Sequence, residues 1–480
     1  MTRPPAPPVA TLGALVVALS GCGAAAFQGE PEAAFAAAVE AHLGGNDVRG
    51  GDAAQVFLDA SSPEDDRYDR AQLILAESLE NLELTHAAAV TFLDVASSRR
   101  NPELIDRAVA GLERIVTLGP HDGQVIVDGF LASAEITGLQ PSTTAFIAYI
   151  QGRDNARRGQ LAWMEESFRR IPEESPYRVR AELVRAVRHL SVGERQEAVE
   201  RLDRLLEQVE ELPPDVQEEL YLAMARLAME EGRYRDAVDF FEEVKDAAPR
   251  RPTLLLEMAW AYFYSGRSRR ALGLLVALDA PMYAQLIAPE RFLLEALSLQ
   301  RLCQFEPAQA AVIRLEERYR EALADLHRGV PPHRSEALLE ATRLRVKEPG
   351  SVIPFLARLR TERAHVADVA PAGGAMRTAL EAFYAAAIAE AERREEEALR
   401  EEAGNLAIEL IDAEDGVRLV VHELSVALLR GRQRVDEGSG TTEAEVEPPG
   451  QDRVAYRFDG EFWTDELDDL EVVIPDRCLQ

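Results

Sequence analysis

The chain has 480 residues, 47% of them hydrophobic and only 6% aromatic, with alanine and leucine abundant, a composition for packed helices. A formal net charge of −31 repels phosphate backbones, and no basic patch offsets it, which argues against nucleic acid as a partner. No CxxC, CxxCH, HExxH or GxxxxGKS/T pattern occurs and the eight histidines are scattered, so no catalytic, metal or cofactor constellation is found.

Residues 1–21 read as a targeting segment. Arg3 supplies a positive charge, and the apolar run 9–20 is too short to span a bilayer. The run ends in Leu19-Ser20-Gly21-Cys22, which resembles the lipobox of bacterial lipoproteins. That resemblance implies a signal peptide that is removed, acylation of Cys22 (palmitate included), and a chain anchored to the membrane rather than spanning it. Each buried methylene contributes about 0.8 kcal/mol, so several acyl chains hold firmly. Glycine rather than aspartate at position 23 points to the outer membrane, with the body facing the periplasm. Residues 22–68 form the acylated N-terminus, a tether and capping helices. A helix is expected over 33–43, ended by Gly44-Gly45, with a break at Ser62-Pro63.

A repeat organises residues 69–320. In the stretch 218–285, Ala225, Gly232, Ala237 and Phe241 are followed by Ala259, Gly266, Ala271 and Leu275, at a spacing of 34. Tyr221, Met224, Ala225 and Ala228 recur at intervals of 3 and 4, as on one buried helix face. Gly232 ends that helix, since glycine enters the left-handed conformation without a Cβ penalty. Ala237, Phe241 and Val244 mark a second helix, stopped by Pro249. This pattern resembles the tetratricopeptide repeat. Further copies fit Ala76, Leu79, Ala88 and Phe92; Gly152, Gly159, Phe168 and Pro176; Ala186, Gly193, Ala198 and Leu202; and Ala296, Phe305, Ala308 and Val312, where Cys303 takes the place of the turn glycine. With residues 103–140, helical by period but a poor fit, about seven units are expected. The fold class is all-α: a helical solenoid of this type followed by a long C-terminal helix or helix pair, and a partly ordered tail.

From residue 321 the register is lost. Residues 321–435 form a C-terminal helical region with breaks at Pro331-Pro332 and Pro349-Gly350. Within it, Leu380, Tyr384, Ala387, Ala391, Leu399, Leu406, Leu410, Ile411, Val417, Val420, Val421, Leu424 and Leu428 form an apolar stripe, with a bend allowed at Gly404 or Gly416. The stripe needs cover, either the solenoid itself or a coiled-coil mate from another chain; folding back is favoured. Residues 436–452 read as a disordered acidic linker. Residues 453–480 read as an aromatic docking peptide, with Tyr456, Phe458, Phe462 and Trp463. In an oxidising compartment Cys303 and Cys478 are expected to pair and pin this peptide near Gln304; a buried free Cys303 is the alternative.

The resemblance implies that positions 2, 5, 9, 12 and 13 of each unit face a concave groove. In the unit from Pro252 these are Thr253, Leu256, Trp260, Phe263 and Tyr264. Neighbouring units contribute Phe146, Tyr149, Arg153, Arg157, Arg226 and Arg301 to the same face. An aromatic and basic groove on an acidic chain suits an acidic or extended peptide from another envelope protein. The alternative is that the chain's own C-terminal part covers it. Together the repeat, the lipobox and the tail peptide loosely resemble repeat lipoproteins of envelope machines, including those of gliding motility. The reading is a non-enzymatic, lipid-anchored scaffold for protein–protein interactions, in motility or envelope biogenesis. The alternatives are an outer-membrane protein assembly factor or, last, an envelope enzyme or its regulator.

Overall fold

A computed structural model describes residues 26–27, 29–247, 252–283, 288–345, 352–435, 460, 462 and 469–479. Cys22, Pro249, Pro349-Gly350, the linker 436–452 and the aromatics Tyr456, Phe458 and Trp463 lie outside the described residues. Among those described there are nineteen α-helices and no β-strand. No described helix is long and apolar enough to cross a membrane. The chain divides into two units, Met1–Val95 with Thr361–Tyr384, and Ala96–Arg360 with Ala385–Gln480.

The first unit begins with α1 (Pro31–Leu43) and α2 (Asp47–Ala60), joined by a turn with Gly45 at φ +70°. Asn46 caps α2, its side chain accepting from the Arg49 amide at 3.1 Å. This helix pair was not expected as a repeat, because Gly50, Gly51 and Asp52 dilute the apolar period. The structure buries all three. A Cβ on Gly51 would stand 2.6 Å from Met376 Sδ, so the glycine is there for close approach. Next come α3 (Tyr68–Asn81) and α4 (Thr85–Ser98), with Ala76, Leu79, Ala88 and Phe92 in the core as the repeat requires.

Two buried carboxylates tie residues 361–384 into this unit. Glu362, 1% exposed, accepts from the Thr85 hydroxyl (2.6 Å), the His86 amide (3.0 Å) and the Tyr384 hydroxyl (2.7 Å). It thereby caps the start of α4. Asp52, also 1% exposed, accepts from the Phe27 amide (2.7 Å) and the Met376 amide (3.0 Å), capping the helix that starts at Ala375. Each segment satisfies the other's free helix-end amides.

The second unit holds five helix pairs in sequence: α6 (Pro141–Arg157) with α7 (Leu161–Arg169), α8 (Pro176–Ser191) with α9 (Arg195–Leu206), α10 (Pro214–Glu230) with α11 (Tyr234–Ala247), α12 (Pro252–Tyr264) with α13 (Ser268–Ala277), and α14 (Glu290–Arg301) with α15 (Phe305–Arg318). Ala225, Ala237, Ala259 and Ala271 are fully buried where the paired helices meet, and Phe241 fills the space beside them. Each first helix from α6 to α12 opens on a proline, whose missing N–H costs nothing at that position. Ahead of them stands α5 (Pro102–Leu118), already introduced by the sequence as a poor repeat. It has no paired second helix: residues 119–140 contain only a π turn, Gly123–Asp128, and a short 3-10 turn, Leu131–Ser133. Pro120 and the glycines at 119, 123, 129 and 138 deny this stretch a helix.

Beyond the repeats lie α16 (Arg320–His327) and α17 (Glu336–Leu344), separated at Pro331-Pro332, then α18 (Val352–Val369) and α19 (Ala375–Val435). The C-terminal stripe belongs to one 61-residue helix, unbroken at Gly404 and Gly416. Its buried residues Leu406, Leu410, Val417, Val420 and Leu424 share a core with Phe292, Leu299, Val312, Leu323 and Leu338 of α14–α17. Within this unit the helix folds back on its own chain. Ile411, expected on the stripe, is 42% exposed instead.

Candidate docking groove

Three of the first helices, α6, α8 and α10, line an open groove of about 480 Å³. Its floor is apolar: Leu183, Val184 and Val187 from α8, Leu222 and Ala223 from α10. Val187 is 47% exposed, a large aliphatic surface left in solvent. Arginines surround the floor: Arg153 and Arg157 from α6, Arg188 from α8 and Arg226 from α10.

The four are not equivalent. Arg157 pairs with Asp154 (2.8 Å) and Asp128 (2.9 Å), and Arg226 makes a two-pronged contact with Glu257 at 2.8 Å and 2.8 Å. The bonds to Asp154 and to Glu257 raise the pKa of Arg157 and Arg226 respectively. Among the described residues the Arg188 side chain donates to the Ser191 hydroxyl at 2.8 Å, and its buried Nε meets no acceptor. Arg153 lies over the Tyr149 ring, 5.8 Å from its centre. Among the described residues, neither Arg153 nor Arg188 has a carboxylate in ion-pair range. The groove's one acid, Glu219, has its pKa raised mainly by burial.

Arg153, Arg157 and Arg226 were singled out by the sequence, and the structure brings them together. Arg188, Val184, Val187 and Leu222 were missed. Counting from the proline that opens each first helix finds them: positions 9, 12 and 13 from Pro176 are Val184, Val187 and Arg188, and position 9 from Pro214 is Leu222.

The other expected groove residues lie elsewhere. Phe146 is 1% exposed and belongs to the core, 5.7 Å from the Tyr177 ring. Tyr149 stacks on Tyr177 at 5.2 Å, and burial raises its pKa. Leu256 and Phe263 are buried too, Phe263 beneath the Arg301 guanidinium at 4.4 Å. They are packing residues because α14 closes over that part of α12. Trp260 is half-buried and hydrogen-bonds to Glu290, whose carboxyl pKa is raised, chiefly by burial. Tyr264 is 45% exposed and stacks between Trp260 (5.6 Å) and Tyr234 (4.9 Å). The aromatic ladder and the arginine groove are thus distinct features of the same unit.

At α14 the equivalent positions are already occupied. Counted from Pro289, positions 9, 12 and 13 are Leu297, Gln300 and Arg301, and position 5 is Leu293. A Cβ on Gly416 of α19 would stand 2.8 Å from Leu293, and Gln300 donates to Glu423 of α19 at 2.7 Å. The tail follows a different course. Leu470 sits so close to α13 that a Cβ on Gly273 would stand 1.9 Å from its carbonyl oxygen. Arg270 donates to that oxygen (2.8 Å) and pairs with Asp469 (3.1 Å), and the Gln304 side chain donates to Pro475 at 2.7 Å. The sulfurs of Cys303 and Cys478 are joined at 2.04 Å.

No family model matches the sequence, and no curated protein matches it. Among solved structures, a tetratricopeptide repeat protein from Parabacteroides merdae ATCC 43184 matches with a TM-score of 0.28 and 13% identity, over 60% of this chain and 92% of that one.

Proposed function

We propose that this protein is a lipid-anchored scaffold of a bacterial cell-envelope complex, held at the outer membrane by acylated Cys22 and offering its repeat unit to protein partners in the periplasm. The observation that carries the scaffold role is the open groove of α6, α8 and α10, whose apolar floor, exposed at Val187, is bordered by four arginines, a surface suited to recognition. The tetrapeptide Leu19-Ser20-Gly21-Cys22 supports the anchor.

Two experiments test the two halves. Cys22→Ser should move the protein from the membrane fraction to the soluble periplasm and abolish palmitate labelling; retention with no label would end the lipoprotein reading. A photo-crosslinking residue in place of exposed Tyr264, activated in cells, should trap an envelope protein. Adducts only to the protein's own residues would remove the scaffold reading for the α12 pair.

A further inference from the structure

The repeat unit shows what its groove positions accept. On α14, Leu293 and Gln300 are covered by α19, a helix whose apolar stripe (Leu406, Leu410, Val417, Val420) is flanked by glutamates. Of these, Glu423 accepts from Gln300, and Glu402 and Glu409 pair with Arg345 of the same unit. The chain thus covers one part of its own groove with an acidic amphipathic helix. Along α6, α8 and α10 no other described helix enters the groove lining, and the surface there is an aliphatic floor bordered by arginines.

We propose that the open groove over α6, α8 and α10 seats an acidic amphipathic helix of a partner protein, its apolar stripe on Val184, Val187 and Leu222 and its carboxylates on Arg153 and Arg188. The inference rests on the scaffold reading and names the partner's chemistry. Charge complementarity is what selects the occupant. In a chain of net charge −31, the groove is lined by four arginines against one acid, Glu219, and two of the four have no carboxylate in ion-pair range among the described residues. Arg188 in particular lines the groove beside exposed Val187 with no carboxylate in ion-pair range among the described residues, so its guanidinium is placed for a bound carboxylate. Three packed helices at 8–10 Å spacing span roughly 20 Å, enough for about 13 residues of helix at 1.5 Å each.

The test uses the mature full chain and two labelled helical peptides of equal length. Both carry leucines at i, i+3, i+4 and i+7; one has glutamates at the remaining positions and the other lysines. In fluorescence anisotropy the glutamate peptide should bind at least about tenfold more tightly than the lysine peptide, and salt should weaken it. The double variant Arg153→Glu, Arg188→Glu should reverse the preference. Should that variant fold poorly, Val187→Asp, on an exposed position, should weaken the glutamate peptide about tenfold or more while leaving the melting temperature unchanged. Equal binding of both peptides, no binding of either, or no effect of these substitutions would overturn the proposal. So would binding of the glutamate peptide only after deletion of residues 436–452, which would make the chain's own acidic segment the occupant. None of these outcomes bears on the Tyr264 crosslink, so the partner chemistry and the scaffold role can fail separately.

Discussion

Glu362 shows how much one buried carboxylate can organise. It accepts from two residues at the start of α4 and from Tyr384, with almost no contact with water. Truncation leaves those donors without their acceptor, so Glu362→Ala should cost about 3 kcal/mol in denaturant unfolding, with Glu362→Gln milder because an amide oxygen still accepts. A cost below about 0.5 kcal/mol for the alanine variant would mean that water replaces the carboxylate. Asp65 offers a test by titration. Hydrogen bonds from the Arg67 side chain hold its carboxyl at about 2, against an ordinary value of 3.8. Because the folded value is depressed, the contribution to stability is present above the unfolded pKa and is lost as pH falls from about 4 towards 2. Carbon-detected NMR should place the Asp65 midpoint near 2, and Arg67→Gln should return it towards the ordinary value. At Cys303 the backbone is left-handed, φ +53°, where the turns of α10–α11 and α12–α13 have glycine, Gly232 at +71° and Gly266 at +87°, and that of α3–α4 has Glu83 at +60°. Both Cys303→Gly and Cys303→Ser remove the bond to Cys478. The glycine variant should nevertheless be more stable than the serine one by about 1 kcal/mol, as glycine carries no Cβ penalty there.

Helices carry the next level, and much of it is legible in the sequence. The 3-and-4 periodicity, the turn glycines and the buried alanines place α8–α15 without ambiguity, because each pair closes on itself within one repeat. What the sequence hides is sequence-distant. Nothing local marks Gly273 as more than a helix residue of low propensity, yet it is the notch that takes Leu470. Gly416 looks like a bend and is instead the flat place where an unbroken helix meets Leu293. These glycines are chosen by what approaches them, not by their own φ. Gly273→Val therefore tests the tail's seat: its side chain must displace the Leu470 carbonyl, so limited proteolysis should cut near residues 469–479 far faster than in the parent chain, with the repeat core intact. Unchanged cleavage would show that the tail has an alternative path.

For the whole chain, the two units have different dependence on distant sequence. The first is closed by residues 361–384, which explains why α1 and α2 read only as tethering and capping segments: the partners that give Asp52 and Gly51 their roles arrive more than three hundred positions later. The bond between Cys303 and Cys478 joins residues 175 apart, both in the second unit. Cross-linking restricts the unfolded chain, by up to about 4–5 kcal/mol for a loop of that size on the entropic model, and less where unfolded structure persists. While the second unit stays folded, its own packing holds the ends of that loop, so the bond adds nothing to the first unit. Cys478→Ser should accordingly lower the protection of second-unit amides such as Ala259 and leave that of first-unit amides such as Phe57 unchanged in native-state hydrogen exchange. An equal loss at both would mean that the two units unfold as one cooperative body, with α4, α18 and α19, the helices whose residues fall in both, as the coupling elements.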